Sequence, residues 1–313
     1  MNKLHVSAAP HIHQKGANTA NVMLDVIIAL IPAAIAAVVI FGIKALLMII
    51  VCASSAVLSE AIFNLCIHKK QTIGDLSAIV TGLLLALNLS INVPLWQCAL
   101  GSVFAIVIVK CLFGGIGKNL FNPAASARVL MLLTFSSVAG GAAPKIVELV
   151  SSATPLTALS SNEIPSMLEL FLGLHGGAAG ETSAIALLIG YAYLVIRKVI
   201  RWYVPAAFVG AVFVLYLAFA CQGSFAANAE FALAECLAGG LLLGAIFMAT
   251  DYATTPITDL GRVLFAVGCG ILTFVIRQYC AYPEGVSIAI LVMNIFTPFL
   301  ERMTVKKTLG GVK

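Results

Sequence analysis

The run Val22-Met23-Leu24-Asp25-Val26-Ile27-Ile28-Ala29-Leu30-Ile31-Pro32-Ala33-Ala34-Ile35-Ala36-Ala37-Val38-Val39-Ile40-Phe41-Gly42 decides the fold of this chain. It holds 21 residues and one charge, Asp25. At 1.5 Å of rise per residue, about 20 apolar residues cross the hydrocarbon core of a bilayer, so this run is read as a membrane span. The rest of the chain repeats the pattern. Of 313 residues, 61% are apolar and 10% charged, and the mean hydropathy is +1.06. Soluble domains carry about 25% charged residues. Eighteen Lys and Arg with thirteen Asp and Glu cannot build a water-facing surface around so large a core. A soluble enzyme, a nucleic-acid binder and a disordered scaffold are excluded, and an all-α polytopic protein surrounded by membrane lipid is expected.

Reading outward gives ten apolar runs: 22–42, 44–66, 76–90, 95–113, 122–138, 182–197, 203–221, 232–250, 262–280 and 285–301. The third and sixth are short for a crossing and the fifth opens on Asn122-Pro123, so broken or tilted spans are expected. Met1 to Asn21 holds three His and two Lys, which is not the pattern of a cleavable leader. The eight cysteines fall singly inside apolar runs, without C-x-x-C or Cys/His spacing, and are read as small core residues rather than metal ligands.

Basic residues mark cytoplasmic loops. With both termini cytoplasmic, the inner segments collect thirteen Lys and Arg, among them Lys69, Lys70, Lys118, Arg197, Lys198 and Arg201, while the outer segments keep Lys44, Lys145 and Arg277. Lys110 is expected to snorkel from the end of its helix. Arg128 is then the one cation expected well inside a span. This orientation puts the long hydrophilic segment from Val138 to Glu181 outside the membrane.

Sliding the sequence by 162 residues sets Gly82 on Gly244, Pro94 on Pro256, Asn122 on Glu284, Ala127 on Ala289 and Met131 on Met293. Apolar sequences align easily, so coincidence and true repetition both stand. If the repeat is real, five spans per half force opposite topologies, the inverted plan of many transporters. The expected organisation is a cytoplasmic segment 1–21, a five-helix repeat 22–138, an extracytoplasmic loop 139–181, a second five-helix repeat 182–301 and a cytoplasmic tail 302–313.

The outer loop contains Glu148-Leu-Val-Ser151-Ser152-Ala153-Thr154-Pro155. Composition alone reads it as a Ser/Thr-rich turn before a proline. Its order resembles the D-x-x-S/T-G-A-T/S sequence at which flavin transferases join FMN to a threonine hydroxyl through a phosphoester bond. That chemistry needs an exposed hydroxyl with small neighbours, which Ser151, Ser152 and Ala153 supply. Glu148 stands where Asp is usual and Ser152 where Gly is usual, the latter narrowing backbone freedom. Thr154 is the acceptor the motif selects, ahead of Thr157.

Further stretches lie in collinear order along the chain: Val6-Ser7-Ala8-Ala9-Pro10-His11-Ile12, Asp25 to Ala33, Asn119-Leu120-Phe121-Asn122-Pro123-Ala124-Ala125, Gly180-Glu181-Thr182-Ser183 and Ala249-Thr250-Asp251-Tyr252-Ala253-Thr254-Thr255-Pro256. Together with the flavinylation sequence they resemble the D subunit of the Rnf electron-transport complex, a relative of the B subunit of the sodium-pumping NADH:quinone reductase. The resemblance implies ten spans in two inverted halves and covalent FMN on Thr154. It also implies a second, noncovalent flavin such as riboflavin, whose positions are not readable. Its place would be the prokaryotic cytoplasmic (inner) membrane, in a complex passing electrons between ferredoxin and NAD while moving Na+ or H+. The partners implied are the other Rnf subunits and a maturing flavin transferase.

Polar groups at a helix centre cost about 2.5 to 3.5 kcal/mol on insertion scales and mark candidate sites. Arg128, one and a half turns past Asn122-Pro123, is positioned either to meet a flavin phosphate or carboxylate or to snorkel. Asp251, beside Thr250, Thr254 and Thr255, either holds a cation or flavin ring or caps a helix end. Glu60 and Asp25 are expected to pair with Lys or backbone, and Glu284 to sit favourably at a helix N-terminus. Gly114-Gly115-Ile116-Gly117-Lys118-Asn119 lacks P-loop spacing. No catalytic residue or metal site is expected in the isolated chain. A secondary transporter explains the inverted halves but leaves Glu148 to Thr154 without a purpose. An intramembrane hydrolase finds no Ser/His or His-Glu-x-x-His arrangement within a span.

Overall fold

A computed structural model describes residues 5–6, 12–13, 18–135, 155–160, 166–173, 175–181, 183–219, 224–280 and 285–305. Apart from a two-residue antiparallel pair, β1 (His5–Val6) with β2 (Ile12–His13), the described elements are helical. The protein is an all-α polytopic membrane protein. Helix α1 (Thr19–Phe41) ends at Gly42, whose φ of 80° with ψ of −159° suits only glycine, and α2 (Ile43–Cys66) starts at once. A 3₁₀ turn, Ile73–Asp75, leads to the short α3 (Ser77–Asn88). After Pro94 comes α4 (Leu95–Val103), which widens into a π-helix over Phe104–Cys111. Asn122 caps α5 (Pro123–Thr134) by accepting from the N–H groups of Ala124 and Ala125, with Pro123 at the position a helix start tolerates.

Two short helices follow, α6 (Pro155–Ser160) and α7 (Met167–Leu172). The second half holds α8 (Ala184–Ile196), α9 (Tyr203–Phe219), α10 (Phe225–Leu237), α11 (Leu241–Leu243) running into a π-helix over Gly244–Met248, α12 (Asp259–Tyr279) and α13 (Val286–Thr304). Helix is present in each of the ten expected runs. Four helices, α1, α2, α12 and α13, are long and apolar enough to cross a membrane alone. The run 232–250, expected as one of the ten spans, is not a straight helix. Phe225–Leu237 and Leu241–Met248 are bent by 63° at a break, because Gly239 and Gly240 both take left-handed φ, 66° and 67°.

The 162-residue offset brings the elements into register: α1 with α8, α2 with α9, α3 with Leu241–Met248, Leu95–Cys111 with α12, and α5 with α13. Helix α1 packs on α8, and α5 on α13, so corresponding elements meet between the halves. Helix α10 has no helical counterpart among the described residues of the first half. Close approaches use glycine. A Cβ on Gly82 of α3 would stand 2.7 Å from Ala53 Cα and Cys52 O of α2, and a Cβ on Gly190 of α8 would strike Ala29 O of α1. Apolar side chains such as Ile35 (58% exposed), Val39 (62%) and Leu58 (60%) point outward, as lipid-facing residues do. A set of polar residues that includes Glu60, Asn88, Lys110, Asn122 and Asn294 is buried instead.

Candidate functional site

The two halves meet around a cavity. Its walls come from α1 (Met23, Val26), α3 (Ser77, Val80, Thr81, Leu84), Lys110, Asn119 and Asn122 of the first half, and from Leu194, Ile246, Phe247, Thr250 and Asp251 of the second. The lining is mostly apolar, with amides, hydroxyls, the Lys110 ammonium and one carboxylate among it.

Asn122 fastens the halves together. While its Oδ1 caps α5, its Nδ2 donates to Met248 O at 3.2 Å, at the end of the second half's π-helix. With the Asn294 amide nitrogen turned toward Thr254 O (3.2 Å), its oxygen accepts from Asn122 N–H at 3.1 Å. Thr297 also donates to Thr254 O, at 2.9 Å. Asn88, at the end of α3, donates to Leu84 O and reaches Met248 Sδ at 3.4 Å. Asn88, Asn294 and Met248 were not singled out from the sequence. Polar residues inside apolar runs were the available signal, but nothing in the order of residues shows which of them converge.

Asp251 follows the π-helix in the turn leading to α12 and lies on the cavity wall. Its Oδ2 accepts from Thr254 Oγ1 at 3.2 Å and its Oδ1 from Ala253 N–H at 3.3 Å. Burial pushes its carboxyl above the ordinary carboxylate range, opposed by those two bonds. The grouping with Thr254 is therefore local, as a cap would be, and it faces the cavity as a ligand would. Thr250 and Thr255 spend their hydroxyls on the backbone, at Ile246 O and Asp251 O.

Arg128 is buried on α5 at 3% exposure, which excludes snorkelling to the surface, and it is not among the residues lining the cavity. It is also not the one buried cation. Lys110, expected to snorkel, is 3% exposed and donates from Nζ to Glu60 Oε1 at 2.9 Å and to Ser77 Oγ at 2.6 Å. Thr72 donates to the same Glu60 oxygen at 2.6 Å, and Ser77 to Asp75 Oδ1. Pairing holds the ammonium inside because its partner is also buried and the pair is cheaper to bury than either charge. Arg277, placed with the outer cations, has a 2% exposed side chain and pairs with Glu235 Oε2 at 2.9 Å while donating to Glu235 O, Ala238 O and Gly239 O. Asp25 pairs with Arg197 at 3.2 Å and accepts from Tyr193 at 2.9 Å, tying α1 to α8.

Thr154, Glu148 and the rest of the flavinylation motif, and Glu284, lie outside the described residues. The chain that follows Thr154 directly is described: Leu156 and Leu159 of α6 are buried at 6% and 1% exposure, and α6 packs on α10. A Cβ on Gly239 would strike Leu156 Cδ1.

With this geometry in hand, comparison with known proteins is decisive. Residues 5–310 match the model of the NQR2, RnfD, RnfE family. The chain belongs to that family. It is 43% identical over 321 residues, covering 100% of this chain and 98% of the relative, to the D subunit of a Na+-translocating ferredoxin:NAD+ oxidoreductase complex from Acetobacterium woodii. It is 39% identical, over 96% of this chain and 94% of the relative, to the D subunit of a proton-translocating ferredoxin:NAD+ oxidoreductase complex from Clostridium ljungdahlii. The D subunit of an ion-translocating oxidoreductase complex from Stutzerimonas stutzeri is 35% identical over 92% of this chain and 91% of its own length. The names of the first two differ in the coupling ion.

Proposed function

We propose that this chain is the D-type membrane subunit of an ion-translocating ferredoxin:NAD oxidoreductase, carrying covalent FMN on Thr154 at the extracytoplasmic face of the cytoplasmic membrane. The observation that carries the assignment to the complex is the 43% identity to the Acetobacterium woodii relative along the whole chain. The FMN rests on the order Glu148-x-x-Ser151-Ser152-Ala153-Thr154. Leu156, two residues beyond the acceptor, docks on Gly239.

A second, noncovalent flavin such as riboflavin matches the lining of the cavity between the halves, but the cavity, about 90 Å³, has to widen to take the ring. Val80, Leu84, Ile246 and Phe247 offer apolar faces, and Asn119, Thr250 and Asp251 offer polar edges, the combination a flat ring with a hydrogen-bonding rim needs. A bound flavin supplies electron transfer, and the protein orients the ring and sets its electrostatics. In this reading Asn122 holds the two cavity walls in register, and Asp251 accepts a hydrogen bond from the ring edge or coordinates a passing cation. The halves run in opposite senses across the membrane, and the partners are the other subunits of the complex and the flavin transferase.

The test is a denaturing gel under ultraviolet light of the full chain expressed with its transferase. A fluorescent band lost in Thr154→Val supports covalent flavin, and a dark wild-type band overturns it. Mass spectrometry of the loop peptide separates Thr154 from Thr157. The same family contains the quinone-reductase B subunits, so the electron acceptor of the purified complex, NAD or quinone, separates the two members. A dark band removes the covalent FMN and leaves the assignment to the complex, which rests on the 43% identity.

A further inference from the structure

A second cavity, of about 380 Å³, opens where the α8–α9 turn meets the start of α12, and it differs in chemistry from the first. Lys198, Arg201 and Arg262 line it together with Tyr252, and no carboxylate is among the described residues on its wall. The turn is built to hold this shape. Lys198 takes φ of 57°, a left-handed conformation that costs a side-chain-bearing residue energy. It is fixed by Lys198 N–H to Val195 O (3.0 Å), Val199 N–H to Leu194 O (2.9 Å) and Tyr191 Oη to Trp202 O (2.9 Å). Arg262 is aimed by its Nε bond to Pro256 O at 3.0 Å. Asp259 pairs with it at 3.7 Å with its side chain 73% exposed and also accepts from Tyr203. The charged ends of Lys198 and Arg201 make no hydrogen bond or ion pair among the described residues. Three cations thus line one cavity with no carboxylate among the described residues on its wall, and the ion-pair partner of Arg262 is largely solvated.

The rim states what kind of anion suits it. Trp202, next to Arg201 in the chain, and Ile257 and Leu260, which stand in the chain between the lining residues Thr255 and Arg262, are 61%, 76% and 61% exposed. An indole and aliphatic side chains left open next to a cationic cluster are the signature of the membrane–water interface, where basic pockets between helices take acidic headgroups. We propose that this cavity binds the phosphate of an acidic phospholipid, with Lys198, Arg201 and Arg262 on the headgroup and the Trp202–Leu260 rim against the acyl chains.

The test uses the full chain in nanodiscs of phosphatidylcholine with and without phosphatidylglycerol, followed by native mass spectrometry of retained lipid. Lys198→Gln with Arg201→Gln removes two side chains that hold nothing else, so an unchanged melting temperature is the control for folding. Retention of phosphatidylglycerol falls about 25-fold in the double variant, at roughly fivefold per basic side chain near an acidic lipid surface, while phosphatidylcholine retention is unchanged. Equal retention of phosphatidylglycerol by both proteins overturns the proposal. In a second arm, Trp202 emission is followed in a Trp96→Phe background. A saturable response to inorganic phosphate alone that vanishes in the double variant assigns the cavity to a soluble anion and also overturns it. Silence to phosphate with a response to phosphatidylglycerol supports it.

Discussion

Lys110 Nζ lies 2.9 Å from Glu60 Oε1, with both side chains 3% exposed. The second oxygen of Glu60 is buried and accepts no hydrogen bond among the described residues, so Lys110 is the charge that makes Glu60 tolerable. Breaking a buried pair from one side strands the other charge and costs about 3 to 5 kcal/mol. Lys110→Met is expected to lower the melting temperature sharply, and adding Glu60→Gln to restore much of it. Thermal unfolding of the four proteins of this cycle checks the coupling; additive effects would deny it.

Asn122 joins a helix cap to a bond between the halves. Asn122→Ala removes the cap of α5, worth about 1 kcal/mol, and leaves Met248 O without its donor, adding about 1 to 3 kcal/mol. Denaturant unfolding should show a loss larger than Ser224→Ala produces at the cap of α10, where the side chain accepts from Ala227 N–H without bridging the halves.

Gly82 lets α3 lie against α2. Gly82→Ala puts a methyl 2.7 Å from Ala53 Cα and Cys52 O, backbone atoms that cannot rotate away, so the helices separate. A destabilisation of about 1 to 3 kcal/mol is expected. Gly210, which has open space around the same position, is the comparison: Gly210→Ala should leave the melting temperature unchanged or raise it.

Gly239 seats Leu156. Gly239→Ala combines a strained left-handed φ of 66° with a clash on Leu156, and it undocks the segment beginning at Pro155. In-gel flavin fluorescence of the variant, normalised to protein, is expected to fall while the band itself remains. Full fluorescence would show that docking of α6 has no part in presenting Thr154.

For Asp251 the readout is coupling. In the assembled complex, Asp251→Ala is expected to lose ion uptake while ferredoxin-driven NAD reduction persists. Unchanged coupling removes Asp251 from the ion path.

How much of this was legible in the sequence follows from what each level encodes. Lys110 shows where the sequence stops. Its place near the end of an apolar run reads as snorkelling, because the partner that keeps it inside stands 50 residues away on another helix. Likewise the run 232–250 reads as one span, since hydropathy sums over a window and does not register two adjacent left-handed glycines. Arg128 and Asp251 were visible as polar residues in apolar surroundings. That Asp251 lines the cavity and Arg128 does not depends on the path of the turn after the π-helix and on the rotation of α5, which a window cannot supply.

The sequence by itself determined the solvent. A chain 10% charged has to satisfy its backbone inside lipid, and helices do that within each segment, so the helical runs and their order follow from local composition. The collinear motifs fixed the family because they too are local. Only the tertiary structure decided which polar groups meet: Asn122 with Met248, Lys110 with Glu60, Arg277 with Glu235, and three cations around one cavity. Each of these is a contact between segments far apart in the chain. Its energy depends on the desolvation and distance of both partners at once, and neither quantity belongs to a residue or to its neighbours in sequence.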